Sequence, residues 1–158
     1  MRILVISDSH GRFSAIEKAI SAQPDAKHIF FLGDKLADIE NMEYFFPERI
    51  FHSVCGNCDF GSDAPTTLML TLENKKILYT HGHAFGVKHG TGSLLSYAKA
   101  RGADIVLYGH THVANTEYAD GIYLVNPGSI GHSREGGCSY AVIDIVGGQV
   151  MPIIIKAS

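Results

Sequence analysis

The sequence predicts an α/β protein. Three observations carry that reading. The front of the chain alternates short apolar runs with helix-patterned segments, the rest is rich in two-residue turns between β-type runs, and no repeat, low-complexity tract or linker divides the 158 residues. A βαβ front followed by hairpins fits two packed sheets covered outside by helices, with one mixed sheet as the alternative. Residues 1–158 read as one domain, long enough to bury a sizeable core.

Arg2–Ser7 is a continuous apolar run, the pattern of a buried strand. Ser14 and Glu17 make a capping box that opens a short helix, and Pro24 shuts it off. A strand at His28–Leu32, a helix around Leu36–Phe45 and a strand at Arg49–Val54 follow. Lys76–Thr80 is a strand, Ser93–Arg101 a helix stopped by Gly102, and Asp104–Tyr108 another strand. Glu73-Asn74, Asp120-Gly121 and Gly147-Gly148 are hairpin turns. Pro152 suits only an edge strand, and Asn126-Pro127-Gly128-Ser129 reads as a type II turn, with Ser129 carried near the site as a less safe second reading.

Composition narrows the function. The chain is 46% apolar and 18% charged, as ordinary globular proteins are. A net charge of −3 argues against broad binding to nucleic acid or an anionic membrane. Ile3–Ile6 is too short for a signal peptide, and no stretch reaches the roughly 20 apolar residues of a membrane span. Three cysteines without an export signal predict free thiols in the cytoplasm. Seven of the nine histidines lie in short polar segments between apolar runs, and that clustering calls for a chemical reason.

The reason emerges at the strand ends. The first strand runs into Asp8-Ser9-His10, the second into Gly33-Asp34, and the third through Cys55-Gly56 to Asn57. Lys76–Thr80 is followed by His81, and Asp104–Tyr108 by Gly109-His110-Thr111-His112. Open α/β sheets gather ligands beyond the carboxyl ends of their strands. Two carboxylates, one amide and four imidazoles would therefore meet in one place. Glycines at 11, 33, 56, 82 and 109 let the chain turn beside them. Taken singly, an Asp after a strand is usually a turn residue and a lone His a satisfied side chain. The ordered set suits two divalent ions, since imidazole and carboxylate favour zinc, manganese or iron and no thiolate cage is present. Asp8 and Asp34 return two negative charges against four positive, which leaves room for a bridging hydroxide and a phosphate. A metal lowers the pKa of bound water from about 15.7 towards 7.

In order, these residues follow D-x-H, G-D, G-N-H-D, H and G-H-x-H, departing only at Cys58, and the chain resembles the calcineurin-like metallophosphoesterases. Ser-Asp-Ser-His-Gly, Gly-Asn-Cys-Asp and Asn126–Ser129 are most similar to the small bacterial and archaeal phosphodiesterases of the YfcE type. The resemblance implies a four-layer α-β-β-α sandwich, two mixed sheets flanked by helices. It implies Asp8, His10, Asp34 and His112 on one metal and Asp34, Asn57, His81 and His110 on the other, with Asp34 bridging. The ions would be manganese ahead of iron, zinc or nickel. The substrate would be a small phosphate ester, and a homo-oligomer stays open. Many family members carry histidine where this chain has Cys58, a position thought to protonate the leaving group. Asn57, Cys58 and His83 are the candidate catalytic side chains, His83 as a substrate contact or a neighbour of the ligands. Asp38 and Asp59 are candidate partners of the ligand histidines, or surface charges.

Two other readings compete. Cys55-Gly56-Asn57-Cys58 is a C-x-x-C, but Asp59–Pro65 is a poor helix start and a redox site leaves the other strand ends unexplained. A phosphoesterase fold kept as a binding scaffold would show lost ligands, and none of the seven is substituted. The natural substrate depends on loops 60–65, 84–89 and 132–137, which sequence alone does not place.

Overall fold

The computed structural model describes residues 1–134 and 136–157, so Glu135 of the 132–137 loop and Ser158 lie outside the described residues. Ten strands form two mixed sheets of five, with three helices. In chain order these are β1 (Arg2–Ile6), α1 (Phe13–Ala22), β2 (Ala26–Phe31), α2 (Leu36–Phe45), β3 (Ile50–Ser53), β4 (Thr67–Leu72) and β5 (Lys75–Thr80). Then come α3 (Gly92–Ala100), β6 (Ile105–Leu107), β7 (Asn115–Ala119), β8 (Ile122–Asn126), β9 (Ser139–Val146) and β10 (Gln149–Lys156).

The first sheet runs β10-β9-β1-β2-β3 and the second β4-β5-β6-β8-β7. β1, β2 and β3 are mutually parallel, as are β5, β6 and β8, so each sheet gathers three carboxyl ends at one edge. The outer strands arrive through the expected hairpins. Both turn residues have positive φ at Glu73-Asn74 (49° and 60°), Asp120-Gly121 (53° and 79°) and Gly147-Gly148 (57° and 81°), as type I′ turns require. Pro152 lies on β10, an edge strand, where its missing N–H is harmless.

Alternation along the strands builds the layers. Ile3, Val5, Phe30 and Leu32 face Ile77, Tyr79, Ile105 and Leu107 across the gap between the sheets. Leu4, Ile6, Ile29 and Phe31 point the other way, onto Ile16 and Ile20 of α1 and Ile39 and Met42 of α2. Leu78, Val106 and Leu124 meet Leu94 and Ala98 of α3. The result is helices, sheet, sheet, helix. Both faces of β1 are buried, which is why it reads as an unbroken apolar run. Each fully buried Leu, Ile or Phe contributes about 1.5–3 kcal/mol, so these three clusters hold the frame rigid.

One expectation fails locally. The capping box at Ser14 does not form: α1 already begins at Phe13, with Arg12 as the N-cap and no side-chain capping bond. The Arg12 N–H donates to the Ser9 carbonyl at 2.9 Å, so the turn after β1 starts the helix and carries Ser14 inside it. The other end is as expected, with α1 closing at Gln23 before Pro24. No described helix is long and apolar enough to cross a membrane.

Candidate metal centre

The residues that follow β1, β2, β3, β5 and β6 converge. The main chain ties them together, from the Asp8 N–H to the Gly33 carbonyl (3.0 Å) and from the Gly109 N–H to the His81 carbonyl (2.9 Å). The sheets are linked where the His110 N–H donates to Asp8 Oδ2 at 3.1 Å. Nine described non-glycine residues have positive φ, and five of them are Asp8 (55°), His10 (45°), Asp34 (61°), His110 (72°) and His112 (61°). Left-handed backbone costs on the order of 1–3 kcal/mol at such a residue and persists only where its surroundings over-determine it.

The surroundings do so. Asp59 Oδ2 accepts the N–H groups of Asp34 (2.9 Å) and Gly56 (2.8 Å), and Oδ1 accepts those of Lys35 (2.7 Å) and Leu36 (2.8 Å). One carboxylate thus clamps the loop after β2 to the loop after β3 and faces the positive end of α2. Burial pushes the Asp59 carboxyl up, but these four N–H groups more than offset it and hold its pKa below the ordinary value. Asp38 Oδ2 accepts the Ser9 hydroxyl (2.7 Å) and the Gly11 N–H (3.0 Å), bracketing His10. Both acids bind main chain and a hydroxyl rather than the ligand histidines, because turning loops leave their N–H groups as the nearest donors. At Gly56 a Cβ would overlap Asp34 Oδ1, and at Gly109 it would overlap Ser7 Oγ. Both positions need glycine so that a neighbouring carboxylate can approach.

The side chains face inward. Single ligand atoms of Asp8, His10, Asp34 and His112 all lie within 4.8 Å of one another, a group that can hold a metal ion. Asp8 Oδ1 is buried with no hydrogen-bond partner among the described residues, 3.3 Å from His112 Nε2. His10 Nε2 lies 3.8 Å from Asp34 Oδ2 and 3.3 Å from His112 Nε2. On the other side of Asp34, His81 Nδ1 donates to the Leu32 carbonyl at 2.6 Å. That bond leaves the Nε2 lone pair facing Asn57 Oδ1 (3.1 Å), Asp34 Oδ2 (3.5 Å) and His110 Nδ1 (3.2 Å). Electron-rich atoms packed this way repel one another, and a cation among them reverses the sign. Nitrogen and oxygen donors without thiolate fit a hydrolytic metal.

The catalytic candidates stand at the rim. Cys58 is exposed, its N–H donates to Asp34 Oδ1 at 2.9 Å, and its Sγ is 3.7 Å from Asn57 Nδ2. Partial burial, then the Asp34 carboxylate, push the Cys58 thiol up, so it stays protonated at neutral pH. The His83 ring centre lies 5.3 Å from that of His81 and 6.1 Å from that of His110. Burial and His81 lower the pKa of His83, and burial, then His81, take His110 to about 4. Asp8 is pushed up by burial, yet His112, His81 and Ser7 together hold it below the ordinary carboxylate value.

The model of the calcineurin-like phosphoesterase superfamily domain matches residues 1–148. The chain belongs to that family. This phosphoesterase is 37% identical over 134 residues to a Bacillus subtilis (strain 168) protein named probable metallophosphoesterase YsnB, covering 82% of this chain and 75% of the relative. It is 29% identical over 169 residues to phosphodiesterase YfcE of Escherichia coli (strain K12), covering 91% of this chain and 88% of the relative. A crystal structure from Streptococcus pneumoniae TIGR4, described as a predicted phosphoesterase, superposes with a TM-score of 0.79 at 28% identity, covering 98% of this chain and 97% of the other. The chain is a metal-dependent phosphoesterase.

One positioning residue, Ser7, escaped the sequence reading. Ser7 Oγ donates to Asp8 Oδ2 at 2.5 Å, and the one available signal was a polar residue closing an apolar run. Ser129 reads most safely as part of a turn, with a place near the site as the alternative. Gly128 has the positive φ expected of it (76°), but residues 127–129 form neither a turn nor a bend; the Gly128 N–H goes to Asn126 Oδ1 at 2.9 Å, and the Ser129 hydroxyl reaches the Asp8 carbonyl at 2.7 Å.

Proposed function

We propose that this phosphoesterase hydrolyses small phosphodiesters with two divalent ions, manganese favoured. Asp8, His10, Asp34 and His112 hold one, Asp34, Asn57, His81 and His110 the other, and Asp34 is shared. The observation that carries the reading is the position of Asp34 Oδ2, 3.8 Å from His10 Nε2 on one side and 3.5 Å from His81 Nε2 on the other. When bound, two such ions supply the positive charge that activates water and neutralises a phosphate in attack.

The chain's own residues do the rest. The two buried aspartates cancel half of four positive charges, and the remainder attracts the anionic substrate. The Leu32 carbonyl holds the His81 ring with its lone pair inward. The Asn57 amide N–H and the half-buried His83 ring stand where they can meet a phosphate oxygen. The Cys58 thiol faces the leaving group as a weak acid, which suits esters whose leaving group departs without much help. Residues 1–158 act as one domain, and the cytoplasm is the setting. Intact ligands at seven positions favour this reading over a binding scaffold.

The test is turnover by the manganese-loaded protein of bis(4-nitrophenyl) phosphate, 4-nitrophenyl phosphate and a simple alkyl monoester. The diester should be fastest. Equal or faster turnover of the alkyl monoester would overturn the preference.

A further inference from the structure

Two clefts flank the metal centre, and they differ in charge. One, about 370 Å³, is lined by His10, Arg12, His112, Gly131 and His132. His10 and His112 are ligand candidates, so this cleft opens directly onto the phosphate position. Arg12 and His132 add a permanent cation and an imidazole, and no described residue lining it carries a carboxylate. The other cleft, about 450 Å³, borders Cys58 and mixes Lys35 with Glu40 and Asp59 beside Leu36 and the 91% exposed Phe60.

The first cleft is held in place by the centre itself. The Ser129 hydroxyl that donates to the Asp8 carbonyl also accepts the N–H groups of Gly131 (3.2 Å) and His132 (2.7 Å). Gly131 packs so close to the Ser9 carbonyl that any Cβ there would overlap it. The His132 ring centre consequently stands 5.9 Å from that of His112. Across the cleft, the Arg12 main chain is fixed by its N–H bond to the Ser9 carbonyl, and its side chain is exposed. The scissile phosphate has the metal centre, so it does not need this cation. An arginine fork matches a second phosphate in geometry and charge.

We propose that the cleft over His10 and His112 is a second-anion subsite. The phosphodiester it selects carries a further phosphate monoester on the arm retained by the enzyme, held by Arg12 and His132. The leaving arm lies on the Cys58 and Phe60 side. This rests on the diesterase reading, and the two are separable by experiment.

Calorimetry on the manganese-loaded protein compares thymidine 3′,5′-bisphosphate with thymidine 5′-monophosphate. The bisphosphate should bind about tenfold more tightly, the scale of one charge-assisted contact at a partly exposed site. In Arg12→Ala the ratio should fall to about two or less, and in Arg12→Lys it should be intermediate, because lysine keeps the charge without the fork. A parallel ratio of kcat/KM comes from the 4-nitrophenyl ester of thymidine 5′-phosphate with and without a 3′-phosphate. Equal affinities in the unsubstituted protein, or a ratio that survives Arg12→Ala, would overturn the subsite. If no aryl diester is turned over, the diesterase reading falls, and the calorimetric ratio still decides the subsite.

Discussion

The carboxylate of Asp59 receives the backbone N–H of Asp34 at 2.9 Å, so an acid outside the candidate metal centre sets the backbone of its most central candidate ligand. The same Oδ2 holds the Gly56 N–H at 2.8 Å, one residue before Asn57. An amide at position 59 keeps the shape but loses one acceptor atom and the charge. Asp59→Asn should therefore cost about 1–3 kcal/mol of stability, the scale of losing charge-assisted bonds to mostly part-buried N–H groups. Denaturant unfolding of the metal-free protein measures this, and a loss under about 0.5 kcal/mol would contradict it.

Acid should act on the same clamp. The folded-state pKa of Asp59 lies below the ordinary 3.8, so its contribution is full above that value and disappears as pH falls through the lower folded-state pKa. Asp59→Asn should remove that part of the acid transition. An acid unfolding curve unchanged by the substitution would speak against it.

A second pH effect has the opposite chemistry. His52 on β3 packs against Phe30 at 4.7 Å between ring centres, and burial, then His28, lower its pKa to about 4. The unfolded chain therefore binds the proton more readily between about 4 and 6.5, and stability rises with pH across that window. The slope should reach on the order of 1 kcal/mol per pH unit. Replacing His52 with Phe, which fills the same space, should flatten it. Thermal unfolding of metal-free protein at a series of pH values provides the test.

Much of this was legible in the sequence. An unbroken apolar run marked β1 because both its faces are buried, and the three hairpin turns carried their own signal in residues that tolerate positive φ. The seven candidate ligands, which the structure brings together, stood out because each follows a strand, and strand ends are where parallel sheets deliver side chains. The helper residues were less visible for physical reasons. Asp59 and Asp38 serve backbone N–H groups whose direction depends on how the loops turn. The left-handed backbone at Asp8, His10, Asp34, His110 and His112 leaves no mark in a sequence, since Asp and His occur there without being required. Whether one sheet or two would form depended on which strands pair, and hydropathy is silent on that.

Cys58 gives a prediction about leaving groups. Its thiol is held protonated at neutral pH and is a poor donor to a developing alkoxide. Cys58→His should raise kcat/KM for an alkyl diester relative to an aryl one by clearly less than about 100-fold, since the loop is shaped around a smaller side chain. Cys58→Ser should stay near the parent if the thiol only packs. An unchanged alkyl-to-aryl ratio in the histidine variant, with both metals bound, would take position 58 out of the proton path.

The proposed shared role of Asp34 is tested most directly by metal content. Protein purified metal-free, reloaded with manganese and desalted should carry two ions per chain, and an anomalous-scattering structure should place them about 3.5–4 Å apart with Asp34 between them. Asp34→Asn should lose metal from both positions and at least about 100-fold in kcat on an aryl diester, while circular dichroism stays that of the parent. An Asp34→Asn protein that retains two ions and full turnover would contradict the shared ligand, and so would a parent protein that holds a single ion at saturation.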